Sequence, residues 1–347
     1  MCSDRTVIDN QDLQRWRQVP SNRRHLLCRR AVIATALMAV TAHRPLLAGA
    51  EPASPEALPA LIDLTSAIDG IIPADGGVYG VVVHEPGRGT RYSRNPTVPF
   101  VAASLYKLPL MAHIYKLAEQ GQFALTDTIV LDEWFWSEGT DSYYDHAWLG
   151  ADIPIAELLD VMGAWSSNVA AWALSTLVFW PDVQATAREA GMINTWMFAI
   201  TSEFETWPPP ATSADSPEAM ATAAAFIDAW YGWSPVMITT AEDIAIFFTG
   251  LLAGRVVSVE ASMAILDILS RQMVTDRFPA LLPAGTWMAH KTGNLPLVVH
   301  DAGLLYTASG PVVVVGMCES MADEWTAVQM LQQLAFIAYS AFAPSGA

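Results

Sequence analysis

Phe100-Val101-Ala102-Ala103-Ser104-Leu105-Tyr106-Lys107-Leu108-Pro109 is the stretch from which the rest of the chain can be read. It sets a serine and a lysine three residues apart at the start of a candidate helix running to about residue 120, so the two side chains share a face. A serine hydroxyl is a weak nucleophile until a base takes its proton. Lys107 can be that base if burial or a second cation weakens its hold on its own proton. A helix start also turns backbone N–H groups toward negative charge developing beside Ser104. Taken alone, the pair is a weak signal, for which a capped helix with an exposed lysine is the plainer reading, and Pro109 predicts a bend in that helix.

Two later stretches supply what such a serine needs. Ser166-Ser167-Asn168 falls between two apolar helical runs. A hydroxyl there can relay a proton to a leaving nitrogen, and an amide can hold a substrate carbonyl. Ser and Asn are also the favoured N-cap residues, so capping is the plain alternative. His290-Lys291-Thr292-Gly293 closes a strand. Its cation and hydroxyl suit a carboxylate, its glycine admits close approach to the backbone, and Lys291 is a candidate second cation for Lys107. The amide of Asn294 would complete an oxyanion hole with that of Ser104. A strand end with a turn glycine is the alternative here.

These stretches come in order at Ser104, Ser166 and Lys291, 62 and then 125 residues apart. They resemble the three signatures of the serine β-lactamase and penicillin-binding-protein superfamily, the class A β-lactamase-like branch above all. The resemblance spans roughly residues 55–342. It implies an α/β (α+β) β-lactamase-like fold: an antiparallel sheet flanked by terminal helices, with an all-helical domain inserted and the site in the cleft between. The sheet domain would take residues 51–100 and 255–347, and the helical domain residues 101–254. The resemblance further implies that Ser104 is acylated by a β-lactam carbonyl with Lys107 as base. Ser166 would relay the proton and Asn168 would bind the acylamino side chain. Lys291 and Thr292 would hold the substrate carboxylate beside Gly293, and the amides of Ser104 and Asn294 would hold the oxyanion. No cofactor or metal is implied. The expected partner is a small β-lactam or a peptide ending in D-Ala-D-Ala, on a monomer.

The pattern breaks in two places. Ser167 stands where the family usually has Asp, at a position that is mainly structural. The second break concerns deacylation. Class A enzymes carry Glu-x-x-Leu-Asn after the central helix, and counting from Gly191-Met192 that place falls near Thr201. Glu203 and Glu205 lie just beyond, neither followed by Leu-Asn, and no Asn occurs between Asn194 and Asn294. Pro208-Pro209-Pro210 and an extra helix lengthen this loop over 196–238. Either glutamate reaches the site on a rebuilt loop, or both are solvated loop acids. With a working base the chain would be a β-lactamase that inactivates antibiotics. Without one it would form a long-lived adduct, as in D-Ala-D-Ala peptidases of the penicillin-binding type. A non-catalytic sensor is a third reading, opposed by the intact Ser104, Lys107, Ser166 and Lys291.

The surrounding sequence bounds these readings. The chain has 347 residues, of which 52% are hydrophobic and only 15% charged, enough for a large core and too few charges for disorder. The first 50 residues hold eight of 18 basic and three of 35 acidic residues, which leaves 10 against 32, about −22, for the rest. Such an acidic remainder argues against nucleic-acid binding. Arg23-Arg24-His25-Leu26-Leu27 resembles a twin-arginine export signal. The apolar run over 31–42 is too short to span a membrane, and Ala48-Gly49-Ala50 offers a cleavage site. Residues 1–50 therefore read as a removable export segment, with a periplasmic or extracellular destination. Cleavage would leave Cys318 as the single thiol, with no partner for an internal bridge.

Elsewhere, helices are expected over 55–69, 154–162, 169–180, 181–190 and 219–231. Others are expected from a Thr239–Glu242 capping box to about 254, from Ser258 to about 272, and over 323–342. Strands are expected over 78–84, 91–93, 286–292, 302–307 and 312–318. Trp134-Phe135-Trp136, with Tyr143, Tyr144 and Trp148, read as core packing or loop anchoring rather than a cleft wall. No zinc-ligand spacing, Gly-x-Ser-x-Gly elbow or phosphate loop is present.

Overall fold

Runs such as Val81-Val82-Val83 and Val312-Val313-Val314-Val315 have no polar alternation, the mark of strands covered on both faces. In the computed structural model of the protein they lie in one antiparallel sheet. The structure describes residues 63–87, 89–137, 139–199, 215–231 and 236–342. The expected export segment, the first part of the 55–69 helix, Glu203, Glu205 and the three prolines lie outside these residues.

Asp63 caps α1 (Leu64–Asp69) by accepting from the Thr65 N–H. The strands β1 (Val78–Glu85) and β2 (Thr90–Arg94) pair next. β3 (Phe100–Val101) passes through a 3-10 turn, Ala103–Tyr106, into α2 (Lys107–Glu119). β4 (Thr128–Val130) pairs with β5 (Asp152–Pro154), and three helices follow: α3 (Ile155–Ala164), α4 (Asn168–Ser175) and α5 (Trp180–Glu189). Then come β6 (Trp196–Ala199), α6 (Pro217–Tyr231), β7 (Val236–Thr239), α7 (Ala241–Leu252) and α8 (Val259–Leu269). The chain closes with β8 (Met288–Leu295), β9 (Val298–Thr307), β10 (Gly310–Glu319) and α9 (Glu324–Phe342).

The main sheet has the order β2-β1-β10-β9-β8, so the hairpin before Ser104 and the three C-terminal strands form one surface. α9 and α1 cover one face, where Val81, Val83, Val312 and Val314 pack with Leu331 and Leu334. Gly316 makes that contact possible, because a Cβ there would lie 2.2 Å from Leu331 Cδ2. Val82, Val313 and Val315, at the alternate positions, are equally buried on the opposite face, against which α7 packs. Each such valine contributes roughly 1.5–3 kcal/mol of burial. A small sheet, β3-β7-β6, was not foreseen and ties the strand before Ser104 to the segment after the long loop.

Several helix expectations need correction. Pro109 makes no mid-helix bend, because it stands in the first turn of α2, where its missing N–H costs no bond. The 3-10 turn gives way to α-helix just before it. α3 runs past Gly163 rather than stopping there, since that glycine is a contact point: a Cβ would lie 2.3 Å from Ile268 Cγ2. The helix expected over 169–180 ends five residues early, and the next begins one residue before the expected 181. α4 ends at Ser175, where the Ser175 and Thr176 hydroxyls donate back to the carbonyls of Ala171 and Ala173. Phe179 is then extended before Pro181 helps restart α5. Thr240, not Thr239, caps α7, accepting from the Asp243 N–H, while Thr239 shares a hydrogen bond with the Thr195 hydroxyl. α8 ends at Leu269, three residues short of the expected end.

Candidate active site

The sequence around Ser104 is held from three sides. β3 pairs with β7, and the Ala102 N–H donates to the Met237 carbonyl at 2.8 Å. The Val101 N–H donates to Glu319 Oε2, and its carbonyl accepts from His300 Nε2, both at 2.9 Å. Because His300 Nδ1 accepts from the Cys318 N–H, the ring proton sits on Nε2. Burial lowers His300 to about 4 and pushes Glu319 up to about 8, the Val101 N–H opposing the latter. Near neutrality both are therefore mostly uncharged, a form that such burial tolerates. Ala103 takes φ +44, a left-handed conformation that costs on the order of 1–3 kcal/mol and is sustained by these anchors. Ser104 is the second residue of the turn and is half-buried.

Lys107 and Lys291 are both fully buried and converge on Ser166. Lys107 Nζ, at the first residue of α2, donates to the Ser166 carbonyl and to Asn168 Oδ1, each at 2.6 Å, and lies 3.4 Å from Ser166 Oγ. Lys291 Nζ, from β8, donates to Ser166 Oγ at 2.8 Å and to the Thr292 carbonyl at 2.9 Å. Two ammonium groups sharing one buried hydroxyl repel. Burial first, then Lys107, with Arg277 adding to both, pushes Lys291 well below the ordinary lysine range, against the pull of Asp301. A lysine that holds its proton weakly beside a hydroxyl, with a second lysine on the other side, is equipped to pass protons.

The third stretch is fixed by the sheet ladder, with Thr292 opposite Asp301 and Gly293 opposite His300. Gly293 fits closely against the Ala102-Ala103 turn and His300: a Cβ there would lie 3.2 Å from Ala103 Cβ, 3.3 Å from His300 Cδ2 and 3.4 Å from the Ala102 carbonyl oxygen. It thus lets β8 lie against the turn that carries Ser104. Asn294 is exposed, and its side-chain oxygen accepts from Arg277.

Sequence reasoning missed four participants. Arg277 is buried and donates to the carbonyls of Gly293 (3.2 Å) and His300 (2.6 Å), placing a cation beneath the end of β8. His300 and Glu319 hold Val101, as described above. Asp141 binds the Ser166 loop from a distant segment. None of the four sits in a recognisable pattern; the faint signal is Glu319 at the end of the apolar run from Val312 to Cys318. Of the aromatic group, Phe135, Trp136, Tyr143 and Tyr144 are buried, as expected for packing. Trp134 is 47% exposed and meets Trp172, one turn beyond Asn168, edge-on at 5.8 Å. Among the described residues no group of three or more His, Cys, Asp or Glu is placed to hold a metal ion. No helix among them is long and apolar enough to cross a membrane.

An antiparallel sheet with helices on both faces, carrying two serines and two buried lysines from three separated stretches, defines a serine hydrolase of the β-lactamase or penicillin-binding type. The sequence model of the Beta-lactamase enzyme family matches residues 63–342, and the chain belongs to that family. The fold is similar to a β-lactamase from Sphaerobacter thermophilus DSM 20745, at 26% identity and a TM-score of 0.64, covering 80% of this chain and 96% of that one. It is similar to PBP-A at 20% identity and TM-score 0.64, covering 81% and 96%. An ancestral (GNCA) class A β-lactamase matches at 21% identity and TM-score 0.64, covering 81% and 100%. No curated protein sequence matches the chain.

Proposed function

We propose that the protein opens β-lactam rings through an acyl-enzyme on Ser104. One observation carries this reading: Lys107 and Lys291, from different elements, meet at the Ser166 hydroxyl. Ser104 Oγ attacks the lactam carbonyl and gives its proton to Lys107. The C–N bond breaks, and Ser166 passes a proton to the departing nitrogen, replenished from a lysine. The amides of Ser104 and Asn294 hold the oxyanion. Thr292 and Lys291 take the substrate carboxylate, with Arg277 adding positive potential below. Water then frees the serine. Export through residues 1–50 would place this chemistry where β-lactams and cell-wall peptides are met.

A second reading is favoured by the lack of Glu-x-x-Leu-Asn anywhere in the chain. In that case deacylation is slow and the natural substrate is a D-Ala-D-Ala peptide. Intact-protein mass spectrometry after mixing with a fluorescent penicillin separates the two. An adduct on Ser104 that forms and clears, with product accumulating, is the expected result. A persistent adduct supports the peptidase reading, and no adduct overturns both. If the adduct clears, Glu203→Gln and Glu205→Gln test each glutamate as the deacylating base.

A further inference from the structure

The Ser166 loop has an unusual backbone. Ser166 itself sits at φ +59, a conformation that side chains seldom adopt, yet it must keep its hydroxyl between two lysines. Ser167, next to it, caps α4 with its hydroxyl, accepting from the Ala170 N–H at 3.0 Å. A hydroxyl in that place can accept one backbone bond and donate one. The remaining N–H groups at the start of α4 need an acceptor from elsewhere.

Asp141, 26 residues upstream of Ser167, is that acceptor. Its Oδ1 accepts from the Ser167 hydroxyl and from the backbone N–H groups of Tyr143 and Tyr144, each at 2.9 Å. Its Oδ2 accepts from the N–H groups of Asn168 at 2.6 Å and Val169 at 3.0 Å. One carboxylate thus receives five hydrogen bonds and bolts two separate segments together. The neighbouring Ser142 hydroxyl adds a sixth bond, to the Trp165 carbonyl at 2.8 Å. Carboxylates that accept from backbone N–H groups at a helix start are favoured twice, by the charge-assisted bonds and by the helix dipole.

We infer that Asp141 is a positioning residue for the proton relay: it supplies from a distant loop the carboxylate that the Ser166-Ser167-Asn168 stretch lacks, and so sets Ser166 Oγ and Asn168 Oδ1 against Lys107 and Lys291. Asp141 reaches the reaction only through the residues it holds. The inference rests on the hydrolase reading for its kinetic consequence, though not for the anchor itself. An error of about 1 Å in a positioned group is enough to slow a reaction roughly 100-fold.

The test exchanges the two side chains. Acylation of Ser104 by a fluorescent penicillin is timed in the full chain carrying Asp141→Ala, Ser167→Asp, and Asp141→Ser together with Ser167→Asp, with a thermal melt on each. Asp141→Ala is expected to slow acylation about 100-fold. Ser167→Asp alone is expected to slow it as well, because two carboxylates then face each other at hydrogen-bond distance. The double exchange is expected to recover the rate to within about 10-fold of the parent, since Asp is also a favoured N-cap. A double exchange no faster than the slower single variant, although folded, overturns the inference, as does an unchanged rate in Asp141→Ala. Should Asp141→Ala fail to fold, the isosteric Asp141→Asn takes its place. Amide hydrogen exchange at Asn168 and Val169 in the Asp141→Asn protein is read independently of any chemistry. Faster exchange there supports the anchor and unchanged exchange overturns it, even if the parent protein forms no adduct and the hydrolase reading falls.

Discussion

The two walls that meet at Ser166 Oγ are built on different principles. Lys291, Thr292 and Gly293 stand on β8, whose register with β9 is set by a continuous ladder from Met288 to Leu295. Their positions are a backbone property, supported by neighbours that bury valines on both faces. Ser166 stands on a loop with a strained backbone and Asn168 opens α4 just after it, and their positions depend on single side chains: Lys107, Asp141 and the capping Ser167. One wall is redundant and the other is not. Side-chain changes at the strand wall should therefore damage chemistry through the group removed, while changes at the loop wall should damage it through geometry as well.

The largest break in that comparison is at the meeting point. Ser104→Ala should abolish adduct formation in the penicillin experiment, and Lys107→Ala should slow it by about 10²–10⁴, the usual worth of a positioned base. Lys107→Ala also removes the donor to the Ser166 carbonyl and Asn168 Oδ1, so its melting temperature should fall too. A loss below about 10-fold in folded Lys107→Ala, with the lower melting temperature, would show that Lys107 supports the loop rather than acting as the base.

Next comes the sheet behind the strand wall. Leu331→Ala empties the contact over Gly316 and should cost about 2–5 kcal/mol in denaturant unfolding. The acylation rate of the folded fraction should stay near the parent's, because the loss is spread over a packed face remote from Ser166. A rate that falls with stability would show the strand wall to be less redundant than its ladder suggests.

A smaller effect should appear in the pH dependence. Glu319 has its carboxyl raised to about 8 in the fold, from an ordinary value of 4.5. The native state therefore binds more protons than the unfolded chain between those values, and this residue's contribution to stability falls as pH rises from about 4.5 to 8. His300, lowered from 6.5 to about 4, works in the opposite sense, its contribution rising with pH across that lower window. Glu319→Gln should consequently gain on the parent as pH is raised from 5 to 8 in thermal melts, and lose that advantage on return to 5. Parallel melting curves would show that the carboxyl titrates normally. The smallest effect is at the α7 cap, where Thr240→Ala should cost about 1 kcal/mol, while Thr239→Ala instead cuts the hydroxyl link to Thr195.

Much of this protein was legible before folding was considered. The valine runs announced covered strands, because burial on both faces removes the need for alternation. The three short stretches named Lys107, Ser166 and Lys291, which the structure brings together at one hydroxyl. Local caps were read correctly at Ser258 and missed by one residue at Thr240, where two adjacent threonines offered the same chemistry. Gly163 was read as a helix stop and is a packing contact, since a glycine required by a neighbour 105 residues away looks no different from one required by a turn.

By itself, then, the sequence determined the class of fold and the presence of the five strands of its main sheet, and it singled out Lys107, Ser166 and Lys291, all of which follow from local pattern and side-chain chemistry. Only the tertiary structure decided that Lys107 and Lys291 share one hydroxyl, that His300 and Glu319 grip Val101, and that Asp141 bolts down the Ser166 loop. Each of those contacts joins segments far apart in the chain. Their partners are single polar atoms brought within about 3 Å by packing, a distance that no periodicity in the sequence encodes.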